Sequence, residues 1–320
     1  MDINKLYNEW LEKAVADPDL IKELEAIKGS EDEISDRFYR CLEFGTAGLR
    51  GVIGAGTNRM NIYTVGQATQ GLSDFLNKNF ENPSIAIGYD SRIKSEYFAK
   101  EAAKILAANG IKVYIYDELE PTPCLSYAIR RFGTSSGIIL TASHNPGKYN
   151  GYKCYDSNGY QMTDDAAEET YAFIQKVDYF TGIKTMDFDE AVNQNLIEYI
   201  GVETIEAFLD EVQKQCVNPG ICKKADLRVI YTPLNGTGNK PVRKILKRIG
   251  IDEVYVVPEQ EYPDGNFPTC PFPNPEIKQA FECALKMTDE IKADILLATD
   301  PDCDRVGIAY ERQRGRCHAA

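Results

Sequence analysis

The chain has 320 residues, 43% hydrophobic and 27% charged, with a net charge of −13. That length suggests two domains by the usual ~150-residue prior, and the composition is that of a globular protein. The acidic balance argues against a broad nucleic-acid footprint, which needs a basic surface, but leaves room for a locally positive pocket that takes a phosphorylated ligand. The start, MDINKLYNEWLEKAVADPD, is charged throughout and has no apolar core of a signal peptide. Nor does any segment approach the roughly 18 apolar residues of a membrane span. A cytoplasmic chain with no membrane partner is the expectation.

The first ~40 residues read as a helical extension, with Leu6, Trp10 and Ala14 recurring every four residues and Pro18 interrupting before a second pattern. From about residue 60 the signals alternate. Asn61–Phe80 looks helical, Ser84–Gly88 is a short apolar strand, and Ser95–Asn109 is amphipathic with Gly110 behind it. The strand Lys112–Tyr116, a helix from about Pro123 to Phe132 and the strand Gly137–Leu140 follow. After a helix near Glu203–Lys214 the rhythm restarts: strand Leu227–Tyr231, helix Lys240–Ile249, strand Val254–Val257, helix Glu276–Lys292, strands Ile295–Ala298 and Val306–Tyr310. Short apolar runs between amphipathic helices predict an α/β fold of two consecutive domains, each a mainly parallel mixed sheet sandwiched by helices. The boundary is placed near residue 202, giving domains 1–202 and 203–320.

Nine cysteines raise the question of disulfides or zinc, yet they contain no CxxC pair and several sit in apolar runs, as Cys124 and Cys154 do. Reduced thiols used as small hydrophobes are the better reading.

Two stretches carry chemistry. In ILTASHNPGKYNGYK an apolar run breaks into a polar loop offering the hydroxyl of Ser143, the imidazole of His144 and, ten residues on, the amine of Lys153. Taken alone, Ser143 is as well explained as the cap of a turn. A Ser-His hydrolase is disfavoured, because sequence neighbours seldom meet in triad geometry and no G-x-S-x-G elbow is present. In LLATDPDCDRVGIAY, Asp300, Asp302 and Asp304 alternate directly after an apolar strand. An extended loop would point all three the same way, where they would repel one another unless a hard cation sat among them. Oxygen-only ligands favour Mg²⁺ or Ca²⁺. An EF-hand fits poorly, since its required glycine is Arg305 here. An acidic turn facing water is the remaining alternative, and Arg305 beside the triad favours a site that also holds a phosphate.

EFGTAGLRGVIGAGTNRMN (43–61) sets glycines around Arg50 and Arg59, none spaced as a Walker loop. TPLNGTGNKPVRK (232–244) has a P-loop's outline with the wrong spacing, and reads best as a structural turn entering a helix.

Together, TASHNP with Lys153, GTAGLRG at 45–51, GYDSR at 88–92 and TDPDCDR at 299–305 resemble the α-D-phosphohexomutases. The helical extension and TPLNGTGNKPVR look most like the bacterial phosphoglucomutase branch, and the resemblance runs from about residue 5 to Tyr310. It implies that Ser143 carries a phosphoryl group, that Mg²⁺ bridges Ser143 to Asp300, Asp302 and Asp304, and that Arg50, Arg305 and Lys153 are nearby cations. Lys153 or His144 moves the proton of the attacking sugar hydroxyl. The implied reaction interconverts glucose 1-phosphate and glucose 6-phosphate through glucose 1,6-bisphosphate, on a phosphosugar substrate. Phosphomannomutase and phosphopentomutase chemistry, or a non-catalytic metal-binding fragment, stay open. Family members continue into a third, sugar-selecting domain and a fourth that clamps the distal phosphate, whereas this chain ends in ERQRGRCHAA, without strand or helix period. A truncated chain, weakly active or inactive alone, is expected.

Overall fold

The computed structural model describes residues 2–45, 48–312 and 316–319, so Thr46 and Ala47 of the glycine-rich motif lie outside the described residues. In chain order the elements are α1 (Ile3–Lys13), α2 (Pro18–Ala26), α3 (Glu31–Phe38), β1 (Gly48–Val52), α4 (Ile62–Asn79), β2 (Ser84–Tyr89), α5 (Ser95–Ala108), β3 (Lys112–Tyr116), α6 (Thr122–Phe132), β4 (Ser136–Leu140) and β5 (Tyr149–Asp156). They continue with α7 (Asp164–Ile174), α8 (Phe188–Asn193), β6 (Ile197–Ile200), α9 (Val202–Lys214), α10 (Ile221–Ala225), β7 (Arg228–Thr232), α11 (Asn239–Arg248), β8 (Glu253–Val256), α12 (Glu282–Ile291), β9 (Ile295–Thr299), β10 (Val306–Arg312) and β11 (Arg316–Ala319).

Two mixed sheets result. The first has the order β1-β5-β4-β2-β3-β6, the second β11-β10-β9-β7-β8. β4, β2, β3 and β6 run parallel, as do β9, β7 and β8, with antiparallel strands added at one side of each sheet. The parallel strands are continuous apolar runs because helices bury both their faces: β4 is buried at every position. α4 and α5 cover one face of the first sheet with Leu72, Leu76, Phe98 and Leu106, and α6 covers the other with Leu125 and Ile129. α9 leans on both units. Ile205 and Leu209 join the α6 core, while Glu206 and Asp210 pair with Lys244 and Arg248 of α11.

The N-terminal helices wrap Trp10, fully buried among Phe38, Tyr63 and Phe180 with edge-on ring contacts of 5.5–5.9 Å. Asp17 caps α2 and Pro18 takes its first turn, where its missing N–H costs nothing. Trp10→Ala should lower stability by roughly 3–5 kcal/mol in urea unfolding, the range for emptying a large aromatic site.

Several sequence expectations need correction. Three strands, β1, β5 and β6, go beyond the predicted elements. β5, YNGYKCYD, puts Tyr152, Cys154 and Tyr155 into the core but sets them among glycine and polar residues, so it shows no continuous apolar run although it lies between β1 and β4 in two ladders. The helix expected over Glu276–Lys292 is shorter: α12 starts at Glu282 after a 3₁₀ turn at Lys278–Phe281. Pro273 and Pro275 hold the preceding backbone extended, which frees Glu276 to pair with Arg305 at 3.0 Å. Part of the tail, expected to hold no strand, forms β11 antiparallel to β10. Backbone ladders need no apolar period.

Candidate active site at the domain junction

Ser143 follows β4 after only Thr141 and Ala142, with a left-handed backbone (φ 52°) and 3% exposure. Its N–H donates to Thr141 Oγ1 at 2.8 Å, and Thr141 in turn donates to buried Asp90 at 2.6 Å. The turn-capping role considered for this serine is therefore filled by Thr141, which leaves the Ser143 hydroxyl available. It points across to the second domain and donates to Asp300 Oδ2 at 2.7 Å. His144 Nδ1 lies 3.3 Å from the same hydroxyl oxygen.

Asp300, Asp302 and Asp304 follow β9 with ligand-capable oxygens all within 4.8 Å of one another. Their convergence does not come from an extended loop, as alternation suggests. The segment turns, with Cys303 N bonded to Asp300 O at 2.9 Å and Cys303 itself left-handed (φ 52°). The turn folds back because β10 must run antiparallel to β9 immediately afterwards. Asp300 and Asp302 are fully buried.

Such a cluster is costly without a counter-charge. Burial, then the neighbouring Asp302, pushes the Asp300 carboxyl up to about 8. Burial acts on Asp302 in the same sense but is outweighed by Lys153, whose amine lies 2.9 Å away, together with hydrogen bonds from Asp300 and Thr122, so Asp302 falls below the usual carboxylate range. Lys153 also reaches Asp304 at 3.6 Å, and the two carboxylates more than offset its own burial and raise it. Asp302 Oδ1 is buried with no hydrogen-bond partner. An orphaned carboxylate oxygen among three converging carboxylates is what a hard cation would satisfy, so the residues fit Mg²⁺ or Ca²⁺.

One open cleft of about 600 Å³ is lined by Arg50, Ser143, His144, Lys153, Asp304 and Arg305, with Thr122, Tyr155 and Tyr160 on its walls. Asp300 and Asp302 sit one contact behind it, so all the site residues predicted from the sequence are gathered at one place. Arg50 touches Asn145 at 3.5 Å, and the Arg305 side chain leans on Glu276 while its backbone N–H binds Asp300 at 3.1 Å. Burial, then Arg305 and Arg50, lowers the His144 pKa, which leaves a neutral imidazole at pH 7. Arg59, in contrast, is spent on Asp36 of α3, outside the cleft. The glycine turn at 235–238 proves structural: Thr237 N and Oγ1 both bind Pro301 O, at 2.9 and 3.0 Å, and a side chain at Gly236 would strike Pro301.

The domain I model of the phosphoglucomutase/phosphomannomutase family matches residues 42–180, and the domain II model matches 206–315. The chain belongs to that family. A phosphoglucomutase of Staphylococcus saprophyticus is 37% identical over 298 residues, which cover 93% of this chain and 53% of that one. A phosphoglucomutase of Staphylococcus aureus strain MRSA252 is 38% identical, with 89% and 51% covered. Among solved structures, a phosphomannomutase-like protein of Thermus thermophilus superposes with a TM-score of 0.71 at 25% identity, over 85% of this chain and 57% of that one. A family protein of Burkholderia thailandensis gives 0.65 at 21%, over 86% and 55%. The chain spans about half the length of the curated relatives it matches.

Within this family framework the residues that sequence reasoning passes over are supports. Thr122 at the start of α6 donates to Asp302 Oδ2 at 3.1 Å, and its backbone N–H binds Asp302 O at 2.9 Å. Arg92 and Asp90, visible in the sequence only as part of GYDSR, brace the serine loop. No helix is long and apolar enough to cross a membrane among the described residues.

A second crevice of about 380 Å³ at the domain junction is lined by Tyr89, Glu118, Glu120, Thr237 and Tyr262. Glu120 Oε2 is buried there without a partner, and burial, then Glu118, pushes this carboxyl up to about 8. Between its ordinary value and 8 the folded protein keeps a proton that the unfolded chain has lost, so stability falls as pH rises through that window. Glu120→Gln should flatten this dependence and stabilise the protein by ~2 kcal/mol at pH 8, read from urea unfolding at several pH values.

Proposed function

We propose that this chain is the phosphoserine- and metal-bearing part of a cytoplasmic phosphoglucomutase, with a cleft that interconverts glucose 1-phosphate and glucose 6-phosphate. The observation that carries the reading is the 2.7 Å contact between Ser143 Oγ and buried Asp300, which joins a nucleophile to an oxygen-only cation site. In this reading Asp300, Asp302 and Asp304 with Ser143 hold Mg²⁺. The ion supplies charge neutralisation that lets a phosphoserine shed its phosphoryl group.

The chain's own residues do the rest. With Ser143 phosphorylated, the sugar hydroxyl of glucose 1-phosphate attacks phosphorus, the Ser143 Oγ–P bond breaks and an O–P bond to the sugar forms. His144, neutral and beside the serine oxygen, takes the hydroxyl proton and returns it to Ser143 Oγ once that oxygen has left phosphorus. Lys153, held charged by Asp302, contributes its charge rather than a base. Arg50 and Arg305 balance the phosphoryl oxygens. The resulting glucose 1,6-bisphosphate turns over and returns its other phosphoryl group to Ser143. Glucose rather than mannose is favoured by the phosphoglucomutase relatives.

The test is incubation with glucose 1,6-bisphosphate and Mg²⁺ followed by mass spectrometry. A phosphoryl group is expected on Ser143, with turnover of glucose 1-phosphate at least ~100-fold below a full-length relative, because holding the sugar hydroxyl within ~3.5 Å of phosphorus needs groups beyond those lining this cleft. Normal turnover by this chain would overturn the second part.

A further inference from the structure

We propose that Pro263–Phe267 of the second unit is a strap that positions Ser143 through Arg92, and so keeps the serine loop in register with the aspartate loop. The proposal rests on the reading of Ser143 as the phosphoryl carrier. Arg92 looks at first like a phosphate ligand, since it lies against the serine loop. Its terminal nitrogens are already committed to backbone carbonyls, and the buried Nε, which makes no hydrogen bond, faces Asp90 rather than the cleft. Nη1 binds Pro146 O at 3.1 Å and Tyr149 O at 3.0 Å, and Nη2 binds Ser143 O and Asn145 O. The side chain is fully buried, with Nε 3.4 Å from Asp90. Four carbonyls of one loop on one guanidinium fix the shape of residues 143–149, and with it the direction of the Ser143 hydroxyl. Arg92 is a positioning residue.

What holds Arg92 from behind belongs to the other unit. The fully buried ring of Phe267 lies 5.0 Å from the guanidinium, and a desolvated arginine on an aromatic face is a favourable pairing. Phe267 adopts a left-handed backbone (φ 48°) to present that ring, a cost that marks a position determined by its surroundings. Alongside, the two backbones touch. A Cβ on Gly265 would lie 2.5 Å from Ile93 N, and one on Gly147 would lie 2.7 Å from Gly265 O. The strap's other end is anchored under the metal loop: Asp264 N binds Asn235 O at 3.1 Å, in the same turn whose Thr237 holds Pro301. A continuous path therefore runs from Pro301 through Asn235, Asp264, Phe267 and Arg92 to Ser143.

The experiment compares the chain with its Phe267→Leu and Gly147→Ala variants. The first removes the ring, and the second pushes strap and loop apart without touching the ring. Hydrogen exchange of residues 141–149 is expected to speed up about tenfold in both, while exchange in α4 and α5 stays as it was. The rate of Ser143 phosphorylation at saturating glucose 1,6-bisphosphate is expected to fall tenfold or more, since small misplacements cost up to ~100-fold, with half-saturating bisphosphate and Mg²⁺ concentrations moving less than about twofold. Arg92→Lys combined with Phe267→Leu should be no slower than the slower single variant. Unchanged exchange at 141–149 in either folded variant overturns the strap, as do additive losses in the double variant. If the parent chain takes no phosphoryl group but exchange still rises, the strap stands and the phosphoserine reading falls.

Discussion

Ser143→Ala is expected to lower phosphoryl uptake from glucose 1,6-bisphosphate by more than ~1,000-fold while leaving the fold intact. In the proposed reading Ser143 is the nucleophile, and removing one that acts with its neighbours as one unit typically forfeits most of the catalytic effect. The backbone of the loop should not change. Its bonds run through Ser143 N to Thr141 and through Ser143 O to Arg92, neither of which uses the side chain. The lost contact is the 2.7 Å bond to Asp300 Oδ2, so the metal-free variant should also show altered titration of the aspartate cluster. Intact-mass and peptide mapping before and after incubation measure the first effect, and circular dichroism checks the fold. A phosphoryl group found on His144 or elsewhere in the alanine variant, at the parent's rate, would assign the nucleophile to another residue.

The second large effect belongs to Asp302→Asn. This residue is fully buried, keeps one carboxylate oxygen without a partner, and gives the other to Thr122 and Lys153. Asparagine keeps the size but removes the negative charge that a cation needs. It also leaves Lys153, itself mostly buried, with Asp304 alone at 3.6 Å. Losing an outer partner of a metal ligand already costs ~10–100-fold in affinity, so losing a ligand should weaken Mg²⁺ binding by at least ~100-fold. Calorimetric titration with Mg²⁺ on the two proteins decides it. Undiminished affinity would refute the cation site, whereas a collapsed circular dichroism spectrum would point to the buried Lys153 charge as the dominant effect.

Much of the scaffold is legible in the chain, for a local reason. Continuous apolar runs such as SGIIL and ILLAT become strands packed beneath helices. Amphipathic stretches such as SEYFAKEAAKILAA become helices whose apolar side meets those strands. Period and burial follow from chain geometry alone, so helices α4, α5, α9 and α11 lie within a residue or two of their predicted bounds. Strands that borrow their order from neighbours leave no such trace, and β1, β5 and β6 show this.

The chemical inventory is also written in residue order: a serine and histidine in a loop after a strand, three alternating aspartates after another, and lysine and arginines near both. How these groups meet depends on packing between the two sheets. Ser143 and Asp300 lie 157 positions apart and touch because two sheets present their loops to one cleft. The aspartates converge through a left-handed turn at Cys303 rather than through alternation. Arg92 escapes notice in the sequence because its partners are backbone carbonyls of residues 143–149, and every residue type carries a carbonyl. Residue identity records what a side chain can donate or accept. Which group across the molecule receives it depends on how the elements pack, and that is set by the sum of many contacts rather than by any local pattern.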